Sequence, residues 1–218
     1  KTETQRVLGL DGPTAVTQNF YLPGQHKRSR EEVRRELGLK DEVLLFHASN
    51  LRPLKRIDLL LETVARIQPR ESFKLLILAG GNFAPFVNDV RRLGLEDRVI
   101  VRESVADIED YLSAADLGLF TSDTESFCLS ILEAMWFGCP SVARSVGGIP
   151  EVIADKVTGR LVDSADADAL ARVVESLIAD PVKRRALGQT AKAGAQKLFS
   201  AEAIVPRYEE LYQRVCAG

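Results

Sequence analysis

The chain has 218 residues, of which 45% are hydrophobic, so it is long enough to bury a substantial core. Its 29 basic and 31 acidic residues nearly cancel, which argues against nucleic acid or an anionic membrane as partner and favours a small molecule. Apolar runs such as Phe73 to Ala79 have the length of a strand, far below the roughly 18 to 20 residues of a membrane span. The three cysteines, without a C-x-x-C spacing, indicate a reducing cytoplasm rather than a disulfide framework or a zinc site.

The first part of the chain has an irregular pattern. A strand is predicted at Ala15 to Gln18, a turn at Pro23 and Gly24, and a charged helix from Ser29 to Leu37. We interpret residues 1–28 as a linker or the remnant of a preceding domain. Residues 29–218 are interpreted as one domain.

From about Glu42 onward, apolar runs rich in β-branched residues alternate with segments of helical period, which predicts βαβ units on a parallel sheet. The predicted strands are apolar on both faces, as expected when helices cover both sides of the sheet. They are Val43 to Ala48, Phe73 to Ala79, Val99 to Val101, Leu117 to Phe120, Ser141 to Ala143 and Gly159 to Val162. Helices are predicted at Ile57 to Ile67, around Val87 to Leu93, and at Ile108 to Ala114, Ser126 to Phe137, Asp166 to Ala179, Val182 to Phe199 and Ala201 to Cys216. We expect the last three helices to cover one face of the sheet.

In an open parallel sheet, ligands bind beyond the carboxyl ends of the strands, so the loops after the strands are the candidate site. The loop after the first predicted strand carries Arg52, Lys55 and Arg56 at the start of a helix, where positive charge opposes the helix dipole. An anion such as a diphosphate would explain these cations, and Arg52 and Lys55 could bind its oxygens in place of a metal. The alternative is a solvated surface cluster.

The loop after the fourth predicted strand carries Glu125, Ser126 and Phe127, and Glu133 follows eight residues after Glu125. A helix beginning near Ser126 would offer free backbone N–H groups to an anion. Glu125 and Glu133 could then hold two parts of one extended ligand through its hydroxyls. The alternatives are a helix cap and an ordinary helix glutamate.

Other loops and reactive side chains have a simpler explanation. The pairs Gly80-Gly81 and Gly147-Gly148 either allow close approach of a ligand or form plain turns. No catalytic triad can be assembled from His26 and His47, and His47 is interpreted as a core or edge residue of the first strand. Cys128 is expected to be inert, although a position at a helix N-terminus would tend to lower the pKa of its thiol.

The segment from Glu125 to Met135 resembles the E-x7-E signature of family 4 glycosyltransferases, retaining hexosyltransferases with the two-domain GT-B fold. The segments Asn50 to Asp58, Ala114 to Asp116 and Gly147 to Ile153 are similar to others of the family, in the same order. Together they cover the chain from about Val43 to its end. Within the family, the motifs look most like the branch that transfers N-acetylglucosamine to malate.

The resemblance implies a Rossmann-like, doubly wound parallel sheet of about six strands with C-terminal helices, the C-terminal half of a GT-B fold. It implies a nucleotide-sugar donor, a UDP-sugar first of all, transferred with retention, without a divalent metal, a cofactor or an enzymatic nucleophile. The implied contacts are Arg52 and Lys55 with the diphosphate, Glu125 with sugar hydroxyls, Glu133 with the ribose, the backbone of Ser126 and Phe127 with sugar and phosphate, and Ser104 and Val105 with the base.

The chain departs from the family pattern in two ways. Cys128 occupies a position that is commonly glycine, and the chain is too short to include the N-terminal acceptor domain. We therefore expect a fragment that binds donor but transfers little sugar alone, with residues 1–28 as the linker from that domain. A nonhydrolysing nucleotide-sugar epimerase and a non-enzymatic nucleotide-sensing module remain alternatives, whereas an NAD-binding domain is disfavoured because G-x-G-x-x-G is missing after the first strand.

Overall fold

Six parallel strands form one sheet in the computed structural model of the chain, which describes residue 9 and residues 15–69 and 73–217. The strands are β1 (Val43–Ser49), β2 (Phe73–Ala79), β3 (Val99–Glu103), β4 (Leu117–Phe120), β5 (Ser141–Arg144) and β6 (Gly159–Val162). Their order across the sheet is β3-β2-β1-β4-β5-β6, so the direction of winding reverses between β1 and β4. The predicted α/β class, the doubly wound topology and all six strands are confirmed.

Helices connect successive strands, as the alternating pattern predicts. They are α1 (Arg30–Glu36), α2 (Ile57–Arg66), α3 (Val87–Arg92), α4 (Ile108–Ala114), α5 (Leu129–Trp136), α6 (Ile149–Val152), α7 (Ala167–Ala179), α8 (Pro181–Leu198) and α9 (Ala201–Ala217). Short 3-10 turns precede α2 at Pro53–Lys55 and α3 at Ala84–Phe86. Side-chain caps mark several helix starts: Ser29 and Glu32 form a capping box at α1, and Asp180 accepts a hydrogen bond from the backbone N–H of Lys183 at α8.

Alternate residues of β1 belong to two hydrophobic clusters, one on each face of the sheet. Leu44 and Phe46 pack with α4 and α5, whereas Leu45 packs with α2 and α7. The expectation that the last three helices cover one face is wrong, because α8 contributes Leu187 to the α2 side and Ala191 and Ala195 to the α5 side. A helix of 18 residues is long enough to reach both clusters.

Residues 15–29, the described segment directly before α1, contain no strand, so the prediction for Ala15 to Gln18 is wrong. This segment pairs with none of the six strands and is instead held by side chains and α9: the backbone N–H of Tyr21 donates to Phe199 O at 3.0 Å, and Tyr208 Oη donates to Gln18 O at 3.3 Å. Arg28 Nε donates to the buried carboxylate of Asp110 at 2.8 Å.

Across the described residues, no helix has both the length and the apolar character needed to cross a bilayer.

Candidate functional site

Two adjoining cavities lie at the carboxyl edge of the sheet, beside the reversal between β1 and β4. The first, which we call the Glu125 cavity, has a volume of about 280 Å³, and the second, the Ser104 cavity, about 290 Å³. The Glu125 cavity is lined by Asn19, Ser49, Asn50, Lys55 and the run from Glu125 to Ser130. The Ser104 cavity is lined by Ala48, Ser49, Asn50, Leu78, Ala79, Gly80, Ser104, Val105, Ile108 and Ser130. Ser49, Asn50 and Ser130 line both, so one extended ligand could occupy the two cavities together.

An ion pair joins two of the predicted site residues in the Glu125 cavity. Lys55 Nζ lies 2.5 Å from Glu125 Oε1, and the side chains are 16% and 9% exposed. Ser122 Oγ donates to the same carboxylate oxygen at 2.8 Å. Thr121 Oγ1 donates to the carbonyls of Lys55 and Arg56 at 3.2 and 3.0 Å, which fixes the turn that carries the lysine. A cation and an acceptor that are largely withdrawn from water therefore face the same small space.

Arg52 and Arg56 differ from Lys55 in their surroundings. Arg52 caps the turn that carries Lys55, and its carbonyl accepts the N–H of Lys55 at 2.8 Å, but Arg52 is exposed and lines neither cavity. Arg56 bonds to Asp58 and to Asp123, and its guanidinium holds the pKa of Asp58 below the usual range. The charge of Arg56 is thus balanced within the chain and requires no bound anion.

Helix α5 begins at Leu129, three residues later than the predicted start at Ser126. Cys128 is the N-cap residue in a left-handed conformation, with φ of 71°, and makes no side-chain cap. Ser126 and Phe127 therefore lie in the loop before the helix, Ser126 exposed and Phe127 buried, and both line the Glu125 cavity. The apolar spacing of this segment does not distinguish a loop residue packed into the core from a first helical turn.

The glycine pair after β5 packs directly on this loop. The N–H of Gly148 donates to Glu125 O at 2.8 Å. A Cβ on Gly147 would lie 2.0 Å from Glu125 O, and one on Gly148 would lie 2.0 Å from Ser126 O. The pair thus permits a backbone approach that no other residue type allows, and it positions Glu125.

Cys128 is buried, and burial together with the nearby Glu125 carboxylate raises the pKa of its thiol to about 12. The tendency toward a lower pKa expected from the sequence is wrong. Desolvation outweighs the helix N-terminus because an apolar environment disfavours the thiolate. The thiol therefore stays protonated and is a poor nucleophile at neutral pH.

Glu133 lies one helical turn beyond Ser130, which lines both cavities, but Glu133 itself lines neither. Burial, and secondarily the carboxylate of Glu109, raises its pKa. Glu109 in turn accepts hydrogen bonds from Tyr21 Oη and from the N–H of Gly24, both at 3.1 Å. Ser104 and Val105 line the cavity named for Ser104, with Ser104 at a φ of 53°.

His47 is a buried residue of β1, as expected from the sequence, but it is hydrogen-bonded to the site. Its ring nitrogens lie 2.8 Å from Leu119 O and 2.9 Å from Ser49 Oγ. Burial lowers its pKa to about 4, so the ring is neutral. Met135 is buried, and Trp136 packs edge-on against Tyr21, so both side chains contribute to packing.

Sequence reasoning did not assign a role to four polar residues that line these cavities: Asn19, Ser49, Asn50 and Ser130. Ser49 and Asn50 directly follow the apolar run of β1, so the rule that located Lys55 could also have found them. Ser130 lies five residues after Glu125, within the recognised signature. Asn19 carries no such signal, because it reaches the cavity from the irregular segment before α1.

A larger cavity of about 810 Å³ lies along the edge strand β3, lined among others by Phe83, Val87, Val99 and Arg102. It is remote from the reversal between β1 and β4, where ligands bind in doubly wound sheets. Size alone does not identify a site, and none of the residues predicted for the ligand lines this cavity. The two smaller cavities are the better candidate.

Comparison with known proteins identifies relatives that are glycosyltransferases. Among curated relatives, N-acetyl-alpha-D-glucosaminyl L-malate synthase of Bacillus anthracis is 35% identical over 191 residues, which cover 87% of this chain and 50% of that protein. D-inositol 3-phosphate glycosyltransferase of Segniliparus rotundus is 34% identical over 216 residues, and the match covers 94% of this chain and 47% of that protein. The chain thus spans about half the length of these relatives.

The fold matches that of GT-B glycosyltransferases. The crystal structure of Anabaena HepE in complex with UDP and glucose superposes with a TM-score of 0.79 at 29% identity, covering 85% of this chain and 52% of that one. Residues 29–194 match the family described as glycosyl transferases group 1. The chain belongs to the glycosyl transferases group 1 family.

Proposed function

We propose that this chain binds the nucleotide-sugar donor of a retaining, metal-independent glycosyltransferase, and that the donor is a UDP-sugar. The observation that carries the proposal is the Lys55–Glu125 pair in a cavity that adjoins a second cavity at the sheet reversal. A nucleotide sugar combines an anion with hydroxyl donors, and the pair offers one partner to each. Relatives that are glycosyltransferases, and a structural neighbour solved with UDP and glucose, support the donor class.

The proposed roles follow the two cavities, except those of Arg52 and Glu133, which line neither cavity. Lys55 binds the diphosphate, with Arg52 reaching it from the surface, and Glu125 accepts hydrogen bonds from hydroxyls of the transferred sugar. The backbone of Ser126 and Phe127 contacts sugar and phosphate. Glu133 accepts from the ribose, and Ser104 and Val105 contact the base. Donor binding would replace the Lys55–Glu125 contact with contacts from each residue to a different part of the ligand.

Lys55 would also stabilise the transition state of the transfer reaction. Negative charge grows on the leaving diphosphate as the bond to the sugar breaks, and a fixed cation in a partly desolvated site stabilises that charge without a metal ion. Glu125 serves as a hydrogen-bond acceptor in this scheme and not as a nucleophile, because departure and attack take place on the same face of the sugar. Catalysis would then rest on positioning and electrostatics.

We propose N-acetylglucosamine as the transferred sugar and malate as the acceptor, on the basis of similarity to the Bacillus anthracis synthase. In a two-domain transferase of this fold the acceptor site lies mainly on the other domain. Transfer by the donor-binding unit alone is therefore expected to be slight, and to increase when an acceptor-binding domain is supplied in trans.

Calorimetric titration with UDP, UDP-glucose and UDP-N-acetylglucosamine in the presence of a chelator tests the proposal. We expect binding without metal, and we expect Glu125→Gln to weaken the UDP-sugars more than it weakens UDP. Glu62→Gln, which changes a partly exposed carboxylate on α2, is the matched control. Failure of all three ligands to bind, or binding that requires a divalent metal, would refute the proposed donor site.

A further inference from the structure

His47 has one possible arrangement of its ring protons. Its Nδ1 lies 2.8 Å from the carbonyl oxygen of Leu119, and a carbonyl only accepts, so Nδ1 must carry the hydrogen. The ring is fully buried and neutral, with its pKa lowered to about 4, mainly by burial. In a neutral imidazole the other nitrogen is an acceptor. Nε2 therefore accepts the hydroxyl hydrogen of Ser49, whose Oγ is 2.9 Å away.

This arrangement fixes the direction of the Ser49 hydroxyl. Its hydrogen points toward His47, and one of its two lone pairs accepts the N–H of Leu51 at 3.3 Å. The second lone pair accepts no hydrogen bond from any residue that the structure describes. Ser49 is half-buried and lines both the Glu125 and the Ser104 cavities, so the residue can offer a ligand an acceptor but no donor.

The Ser49 hydroxyl also stabilises the loop that carries Asn50 and Lys55. Leu51 is buried and has a φ of 58°, a conformation that is costly for a residue with a branched side chain. The hydrogen bond from its N–H to Ser49 Oγ stabilises that turn. His47 therefore acts on the loop through Ser49, although its own ring reaches neither cavity.

The position of Ser49 indicates which part of a nucleotide it meets. Along a nucleoside diphosphate the order is base, ribose, diphosphate, and Ser49 lies where the proposed base cavity joins the proposed phosphate cavity. We infer, on the basis of the proposed function, that Ser49 accepts a hydrogen bond from a ribose hydroxyl of the donor, and that His47 is the positioning residue that turns the Ser49 lone pair toward it. Nucleotides that carry this hydroxyl are thereby preferred over the deoxy analogue that lacks it.

The ring state of His47 can be tested without any ligand. The chain contains two histidines, so long-range proton–nitrogen correlation spectra of the imidazoles are simple to assign, with His26→Asn as the assignment variant. At pH 7 we expect His47 to carry its hydrogen on Nδ1, and Ser49→Ala to shift the Nε2 resonance. A hydrogen on Nε2, or an Nε2 resonance that ignores Ser49→Ala, would overturn the inference.

The contact with ribose is tested by comparing UDP with 2′-deoxy-UDP and 3′-deoxy-UDP. We expect wild type to lose about twofold to tenfold in affinity for one deoxy ligand, the range for a single hydrogen bond. Ser49→Ala should abolish that preference, His47→Asn should reduce it, and the double variant should lose no more than Ser49→Ala alone, because the two residues act in series. Leu45→Val, a fully buried change on the same face of β1, controls for destabilisation and should keep the preference.

The outcomes separate the inference from the proposed function. Wild-type protein that fails to bind UDP would refute the proposed donor site and the ribose contact together. UDP binding with a preference that is the same in wild type and Ser49→Ala would leave the donor site in place and overturn the inference. A preference lost equally in Leu45→Val would also overturn it. The loss would then result from lower stability of the fold and not from the hydrogen bond between His47 and Ser49.

Discussion

Two cations that look equivalent in the sequence differ at the level of single residues. Lys55 is largely buried against Glu125, whereas Arg52 is exposed and lines neither cavity. A charge-assisted contact in a desolvated site contributes about 1.5 to 3 kcal/mol, and an exposed one far less. We expect Lys55→Ala to weaken UDP binding by roughly tenfold or more and Arg52→Ala by less than about threefold, measured by titration calorimetry. Equal losses in the two variants would mean that Arg52 reaches the diphosphate as closely as Lys55 does.

His47 links the stability of the fold to pH. Its pKa is about 4 in the folded chain and about 6.5 when unfolded, so between these values only the unfolded chain takes up the proton. Stability from the neutral ring is therefore fully present above pH 6.5 and is lost as pH falls toward 4. At about 1.36 kcal/mol per pKa unit, the loss approaches 3 kcal/mol.

Urea unfolding between pH 7 and pH 4.5 measures this effect. Wild type should lose more stability over that range than His47→Asn, because the variant lacks the group that titrates. His26→Asn, at an exposed position, should follow the wild-type curve. Identical pH dependence in wild type and His47→Asn would contradict the assignment of a buried neutral ring.

At the scale of elements, the loop before α5 depends on the glycine pair after β5. A Cβ on Gly148 would lie 2.0 Å from Ser126 O, so the backbone of one of the two segments would have to move. Such overpacking typically costs about 1 to 3 kcal/mol, and here the displaced segment also carries Glu125. We expect Gly148→Ala to lower both the unfolding free energy and the affinity for UDP-sugars.

The control for this prediction is Gly194→Ala within α8. A Cβ there would meet Thr158 Cγ2 at an ordinary 3.7 Å, and alanine favours the helix by about 0.5 to 1 kcal/mol. Chemical unfolding and calorimetry on both variants separate the two cases. Unchanged binding in Gly148→Ala would show that the loop holds its shape without the glycine pair.

The elements were predictable where hydrophobic periodicity alone decides them, and the exceptions are segments whose structure depends on contacts with distant parts of the chain. Each strand of the sheet is a short apolar run, and each coincides with its predicted position to within two residues. The start of α5 was misplaced because Phe127 is buried in the loop before the helix, where its ring packs edge-on against Phe199 with the ring centroids 5.6 Å apart. The strand predicted at Ala15 to Gln18 failed because that segment pairs with no strand of the sheet.

The candidate site was predictable as a set of loops but not as a set of contacts. The rule for parallel sheets located the loops after β1 and β4 from the order of the strands. Lys55 and Glu125 are 70 residues apart, so their pairing depends on the folded positions of both loops. The hydrogen bond from Ser49 to His47 could not be predicted either, since the sequence does not show on which face of β1 the imidazole ring lies.

For the whole molecule, the sheet gathers loops from distant parts of the chain at one edge. Most of the residues that line the two cavities lie at the carboxyl ends of β1, β2, β3 and β4 or in the loops after them, whereas Asn19 comes from the segment before α1. The chain returns to the opposite edge of the sheet before each of these strands. Ligand binding at one edge should therefore stabilise four loops together and leave the opposite edge unchanged. Hydrogen exchange measures this directly, because it reports local opening along the backbone.

We expect UDP-sugar to slow amide exchange around residues 49–56, 104–106 and 122–130, which surround both cavities, and at 146–148, which packs on the Glu125 loop. Exchange at residues 39–43, before β1 at the opposite edge, should stay the same. Because the bound ligand also stabilises the chain globally, by about 2.7 kcal/mol at a hundredfold excess over Kd, exchange should be compared at short times, where local opening dominates. Slowing centred on Phe83, Val87 and Val99 would instead place the ligand in the large cavity beside β3.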